Sequence, residues 1–264
     1  MNQKILMRKR TILSGASVVV VIAFWYLITA VFGLIKPLFL PSPDNVVRTF
    51  ISFLYEPYAG HNLWGHAAAS LQLVLFSFFL AIGIGIPLGV LMGWFKTFDA
   101  IVNPLFQMMR PIPPLAWIPL AIVWFGIGIE AKMFVIWLAA FVPSVINSYT
   151  GIKLVDQVLI QAARTFGANK LQILREVAIP SSLPVILAGM RISLGVSWMT
   201  LVASELLAAT AGLGYAMQIA RRSMYPEVIV VNMLVIGLLG AVMGKILQLF
   251  ERRCCSWSEN IASD

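Results

Sequence analysis

Three charged side chains, Arg110, Arg191 and Glu205, interrupt otherwise apolar stretches of this chain. At mid-membrane depth a charge costs at least about 2.5 kcal/mol on insertion scales, so each needs a partner or water. Such residues recognise polar solutes, relay ions or pair one helix with another. Arg191 and Glu205 lie 14 residues apart, about 21 Å at helical rise, and so cannot pair within one helix. Ser197, Trp198 and Thr200 add small polar and aromatic groups to the same stretch, and Met108 and Met109 set adaptable thioethers beside Arg110. These seven positions, Met108, Met109, Arg110, Ser197, Trp198, Thr200 and Glu205, are the candidates for a solute path or gate. Catalysis has no comparable set. Around Gly244-Lys245, Leu239 and Ile246 occupy the positions where a phosphate loop needs Gly and Ser or Thr. No H-E-x-x-H, G-x-S-x-G or Cys/His cluster occurs, and His61 and His66 fall near the outer end of an apolar run, where an interfacial role is expected. The chain is read as a non-enzyme that binds no cofactor or metal itself.

The elements that position these residues are membrane spans. The chain of 264 residues is 60% hydrophobic and only 11% charged, with mean hydropathy +0.89; soluble domains carry about 25% charge. Charge-free windows at 11–35, 67–95, 111–129, 133–152 and 228–244 reach or approach the roughly 20 residues that cross a bilayer. The expected fold is all-α, one polytopic domain over 1–264, with six spans at about 12–33, 67–93, 98–126, 130–151, 182–208 and 228–249. The first run is longer than a signal-peptide core and is read as an uncleaved span. With this topology, 12 of 19 basic residues fall in cytoplasmic segments and five outside. That bias puts both termini in the cytoplasm and explains the net charge of +8 without nucleic acid. Cys254 and Cys255 are adjacent, cannot staple distant segments, and are expected as reduced thiols.

Local signals refine this map. Ser42 and Pro43 suit the cap and first residue of a short outer helix carrying Val46, Val47, Phe50, Ile51 and Leu54. Gly83, Gly85, Gly89 and Gly93 mark a face where helix backbones approach closely. Four prolines between 111 and 119 must break the third span, directly after Arg110. Residues 216–224 form a second short outer helix, and Pro226 helps begin the last span.

The polar island at 154–179 reads as two short cytoplasmic helices. Val158, Leu159, Ala162, Ala163 and Phe166 share one face of the first, and Gly167 suits its left-handed stop. Asn169 caps the second, Leu171, Leu174 and Val177 form its buried stripe, and Pro180 stops it before the bilayer. The alanine pair keeps the first helix thin where it would enter a cleft on a partner.

This loop resembles the "EAA" loop of membrane permeases in ATP-driven (ABC) importers. Ala162, Ala163, Gly167 and Pro180 fall on that pattern, Val177 and Ile179 replace its Ile and Leu by other apolar residues, and Gln161 replaces its acidic residue. The salt bridge that acidic residue could make is therefore not carried over. Leu40-Pro-Ser-Pro43, the run 110–120, Trp124-Phe-Gly-Ile-Gly128, Leu194-Gly-Val-Ser-Trp198 and the run 205–215 extend the likeness to nearly the whole chain. They are most similar to the taurine/alkanesulfonate permeases, with nitrate and bicarbonate permeases beside them. The resemblance implies a type I importer permease fold and a homodimer with one pathway between subunits in the bacterial inner membrane. It also implies two cytoplasmic ATPase subunits that hold ATP and Mg, and an external substrate-binding protein. It assigns Gln161, Ala162, Ala163, Arg164, Phe166, Gly167, Ala168 and Lys170 to coupling with the ATPase, and sets Arg110 where it could attract an anionic sulfonate head. Glu205 would then meet an amine or a docked binding protein. The implied activity is import of a small sulfonate such as taurine by alternating access, with the same machinery serving nitrate, bicarbonate or another small solute as the alternative. An ion-coupled secondary transporter is more distant, because neither repeated halves nor a carboxylate relay occurs. A membrane-embedded enzyme lacks any nucleophile–base set.

Overall fold

A computed structural model describes residues 2–208 and 210–255, and every described element is helical. Helix α1 (Asn2–Tyr26) runs into a π turn, Leu27–Val31, and α2 (Pro43–Tyr55) follows. Ser42 holds the α2 cap position by its backbone, with Pro43 in the first turn, but its side chain makes no capping bond. Helix α3 (Leu63–Trp94) is capped by Asn62, whose side chain accepts the Gly65 N–H at 2.9 Å. Helix α4 (Lys96–Met109) ends at the proline run. A 3-10 turn, Pro114–Trp117, and α5 (Ile118–Phe125) then leave at 84° to it.

Helix α6 is Ile129–Lys153, and the loop beyond it carries α7 (Gln157–Thr165) and α8 (Lys170–Gln172). A π segment, Ile173–Ala178, feeds α9 (Ile179–Ala208), followed by α10 (Leu213–Arg222) and α11 (Pro226–Cys254). The expected stop at Pro180 is absent. Residues Lys170–Leu206 form one continuous apolar helix, because the wider π turn before Pro180 relieves the clash of its ring with the preceding turn.

Among the described residues, four helices are long and apolar enough to span a bilayer, Leu63–Trp94, Ile129–Lys153, Lys170–Leu206 and Pro226–Cys254. Counting the bent pair Lys96–Met109 and Pro114–Phe125 as one gives five, and the apolar stretch Gly15–Val31 is shorter than these. The second outer helix starts earlier than expected, at Leu213 instead of 216.

The packing centre is α6, held between α3 and α9. Small residues permit that closeness. A Cβ at Gly89 would lie 2.5 Å from the Val145 carbonyl oxygen and 2.7 Å from Ser148 Cβ, and one at Gly93 would meet Ile152 at 2.7 Å. Gly85 likewise faces Ser144, whereas Gly83 faces open space, so the glycine face comprises three residues and not four. Replacing Gly89 with leucine is expected to force α3 from α6 and destabilise the fold by at least about 1–3 kcal/mol. Thermal unfolding in detergent reads this, with Gly83→Leu as the near-neutral control.

Candidate functional site

The α9–α10 turn is tied to α3 by a closed polar cluster. The Glu205 carboxylate is buried, accepting the Ser70 hydroxyl at 2.7 Å on one oxygen and the Gly214 N–H at 2.8 Å on the other. Ser70 Oγ in turn accepts the Leu213 N–H at 2.9 Å. The Gly212 N–H donates to His66 Nδ1 at 3.1 Å, so that nitrogen carries no proton, and Nε2–H donates to the Tyr58 carbonyl at 2.8 Å. Both ring nitrogens are thus engaged by the backbone. Three donors at the start of α10, which the helix itself cannot satisfy, are thus paired with side chains from α3 and α9. Gly212 adopts φ +123°, and a Cβ there would overlap the Glu205 carboxylate.

This arrangement changes two sequence expectations. Glu205 is 2% exposed, at the wall of a cavity and out of reach of a docked protein. His66 is fully buried rather than interfacial. Tyr58, just outside α3, has its phenol pushed above the usual range by burial. Lys132 is 6% exposed on the first turn of α6. Its only sequence signal is its place between Ala131 and Met133 at the head of an apolar run.

The other charges separate. Arg191 pairs with Glu251 of α11, an interhelical ion pair that satisfies both. Arg110 is exposed at the C-terminal cap of α4. With Met109, Phe106, Pro114, Phe141 and Val196 it lines a cavity of about 180 Å³ at the break. Met108 is exposed beside it. The structure does not bring the α9 candidates to this cavity. Ser197 is buried and donates to the Ser193 carbonyl at 2.7 Å. Trp198 donates to the Ile236 carbonyl at 3.0 Å, fastening α9 to α11, and Thr200 is buried.

At the opposite end, Asp156 caps α7 by accepting the Val158 N–H at 2.8 Å. Ile160 is the side chain that α7 buries, against Val155, Ile173, Leu174 and Ala178. Most of the shared face read from the sequence is turned outward. Val158, Leu159 and Ala162 are exposed, Phe166 is 90% exposed, and Ala163 is half-buried. Gln161, Arg164, Gly167 and Lys170 are exposed and Ala168 is half-buried. Gly167 has φ +82°, a conformation that costs other residues about 1–2 kcal/mol. Its surroundings are open, so backbone conformation and not space demands glycine. Asn169 and Gln172 form a reciprocal capping box that starts α8. The predicted stripe shifts by a residue: Ile173 and Leu174 are buried, Val177 is half-buried and Leu171 is exposed. Asp99 braces this end, accepting Lys153 Nζ at 3.3 Å and the Tyr149 hydroxyl at 3.1 Å.

The long apolar helices and the bent pair mark a chain built to span a membrane. Residues 85–254 match the family described as binding-protein-dependent transport system inner membrane component, and the chain belongs to that family. It is thus an ABC importer permease subunit, spanning the membrane and not a catalytic enzyme. Over 250 residues it is 39% identical to the taurine transport system permease protein TauC of Escherichia coli (strain K12), covering 94% of this chain and 90% of that one. The putative aliphatic sulfonates transport permease protein SsuC of Bacillus subtilis (strain 168) is 33% identical, over 90% of this chain and 84% of its own. The nitrate import permease protein NrtB of Synechococcus elongatus (strain ATCC 33912 / PCC 7942 / FACHB-805) is also 33% identical, over 74% and 71%. Among solved structures, an amino acid ABC transporter with histidines superposes with TM-score 0.61 at 20% identity, covering 80% of this chain and 97% of that one. That likeness concerns the fold alone.

Proposed function

We propose that this subunit forms half of the translocation path for a small sulfonate, taurine being the best candidate, in an ATP-driven importer. The observation that carries the substrate class is the 39% identity to a taurine permease across 94% of the chain. In this reading two copies face one another around a single pathway. Each contributes six spans: the four long helices, the bent α4–α5 pair and the N-terminal apolar helix. Both termini and the 154–179 loop lie in the cytoplasm of a bacterial cell, and an external binding protein delivers the solute.

Two ATPase subunits bind ATP and Mg, and each receives one loop. The outward apolar ridge of Val158, Leu159 and Phe166 supports that role, since a large exposed phenylalanine on a membrane protein's polar loop asks for a partner. Ala162 and Ala163 let the ridge approach closely, Gly167 and Ala168 turn the chain, and Gln161, Arg164 and Lys170 provide a polar rim. The rigid continuation of α8 through the π segment into α9 supports transmission, because movement of the loop must move Lys170–Leu206 as a unit. At the α4–α5 break, Met108, Met109 and Arg110 are proposed to border the path, with Arg110 drawing the anionic head. Ser197, Trp198 and Thr200 are proposed to act indirectly, by setting how α9 packs.

The test is uptake of labelled taurine into proteoliposomes holding the permease, its ATPase subunits and its binding protein. Saturable uptake that aliphatic sulfonates compete for, and nitrate or bicarbonate does not, is expected. Competition by nitrate alone would move the assignment to the inorganic-anion reading, which the 33% identity to a nitrate permease favours.

A further inference from the structure

Beside the Glu205 cluster lies a mostly apolar cavity whose few polar groups the hydrogen-bonded network leaves largely unused. It measures about 330 Å³ and opens between α3, α6 and the α9–α10 turn, lined by Gln72, Lys132, Glu205 and Thr210 with Phe76 and Ile129 at its apolar margin. Lys132 is 6% exposed and, among the described residues, makes no hydrogen bond or close ion pair, while the carboxylates of Glu205 and Glu130 act on it electrostatically. Gln72, nine residues into an apolar helix, is exposed at the cavity and has no hydrogen-bond partner among the described residues. A buried ammonium offers three donors, and leaving them unmade against hydrocarbon is costly. The mouth of this cavity must therefore meet water or a solute, not lipid tails. Among the described residues each Glu205 oxygen accepts one protein donor, which leaves each with further acceptor capacity.

We propose that this cavity is a binding site for a small zwitterion, with Lys132 holding the anionic group, Gln72 adding a neutral donor and Glu205 receiving the ammonium. The wall carries one charge of each sign. A zwitterion satisfies both, while an anion lacking an amine would bring its charge against Glu205 as well as Lys132. A cavity of this size is at the lower end of small-molecule pockets and suits a solute of a few heavy atoms. The site deepens the importer reading and rests on it: it would select aminosulfonates within the sulfonate class, independently of the binding protein. Glu205 then serves two ends of one structure, fixing the start of α10 with two donors while facing the cavity, so occupancy is linked to the α9–α10 turn.

The test is thiol labelling of Thr210→Cys in the assembled transporter, with Cys254 and Cys255 replaced by serine and no binding protein present. Taurine and β-alanine are expected to slow labelling, whereas isethionate and nitrate leave its rate unchanged. Lys132→Met should raise the half-protecting taurine concentration at least about tenfold, the worth of a lost charge-assisted hydrogen bond, and Lys132→Arg should restore part of it. Gln72→Leu, expected to weaken protection less, provides the second reading if Lys132→Met fails to assemble. Protection unchanged in Lys132→Met, equal protection by nitrate, or none by either zwitterion overturns the proposal. Normal taurine uptake without protection sinks the cavity assignment alone, and protection without taurine uptake sinks the substrate reading alone.

Discussion

Replacing Phe166 with alanine is expected to weaken the permease–ATPase assembly about tenfold to a hundredfold while leaving the permease's own unfolding temperature unchanged. The expectation rests on the 90% exposure of Phe166 at the end of α7. Its side chain supports no part of the fold around it, so truncation removes nothing from the monomer. Burying a phenylalanine in a partner's cleft is worth about 1.5–3 kcal/mol, and each 1.4 kcal/mol is a factor of about ten in affinity. Co-purification at graded ATPase concentrations measures the loss, and taurine uptake should fall in parallel. Ile160→Ala makes the contrast. Ile160 is buried against Ile173 and Leu174, so its loss should destabilise the loop itself. An unfolding temperature that drops for Phe166→Ala, or an assembly that does not weaken, would remove the docking role from this ridge.

Glu205→Ala has the largest expected effect on stability. The Ser70 hydroxyl and the Gly214 N–H would both lose a charged acceptor in a buried site, and each such bond is worth about 1.5–3 kcal/mol. Destabilisation by about 3–5 kcal/mol is expected, read as a large drop in thermal unfolding temperature and as early hydrogen exchange in α10. Glu205→Gln should cost less. Its carbonyl can still accept the Gly214 N–H, and its amide can donate to Ser70 Oγ, but the Ser70 proton then lacks its acceptor. The order Ala worse than Gln worse than Glu is the signature of a capping role. Equal loss of uptake in both variants, without loss of stability, would instead mean that Glu205 acts only on the solute.

Much of this fold is legible in local signals because a bilayer leaves few alternatives. The cap at Asn169, the left-handed turn at Gly167, the break after Arg110 and the start of α11 at Pro226 each follow from one residue's backbone chemistry. What escapes is tertiary. Glu205 meets Ser70 across 135 residues, and His66 meets Gly212 across 146, separations over which periodicity carries no information. Lys132 is buried at 6% exposure, and nothing in its local sequence beyond the apolar run that it heads marks this. Pro180 shows the reverse failure, where a sound local rule yields because a π turn upstream makes room. On α7, hydrophobic spacing groups Val158, Leu159 and Phe166 on one face, but only packing shows that Ile160 is the side chain that points inward.

The central claim is that ATP hydrolysed on another chain moves solute through this one by way of residues 154–179. The most direct measurement is taurine uptake into proteoliposomes with ATP enclosed, with and without the ATPase subunits, and with ionophores added to abolish ion gradients. Uptake that requires ATP and the ATPase subunits and ignores the ionophores is the predicted result. Uptake that persists without the ATPase and collapses with the ion gradient would contradict it.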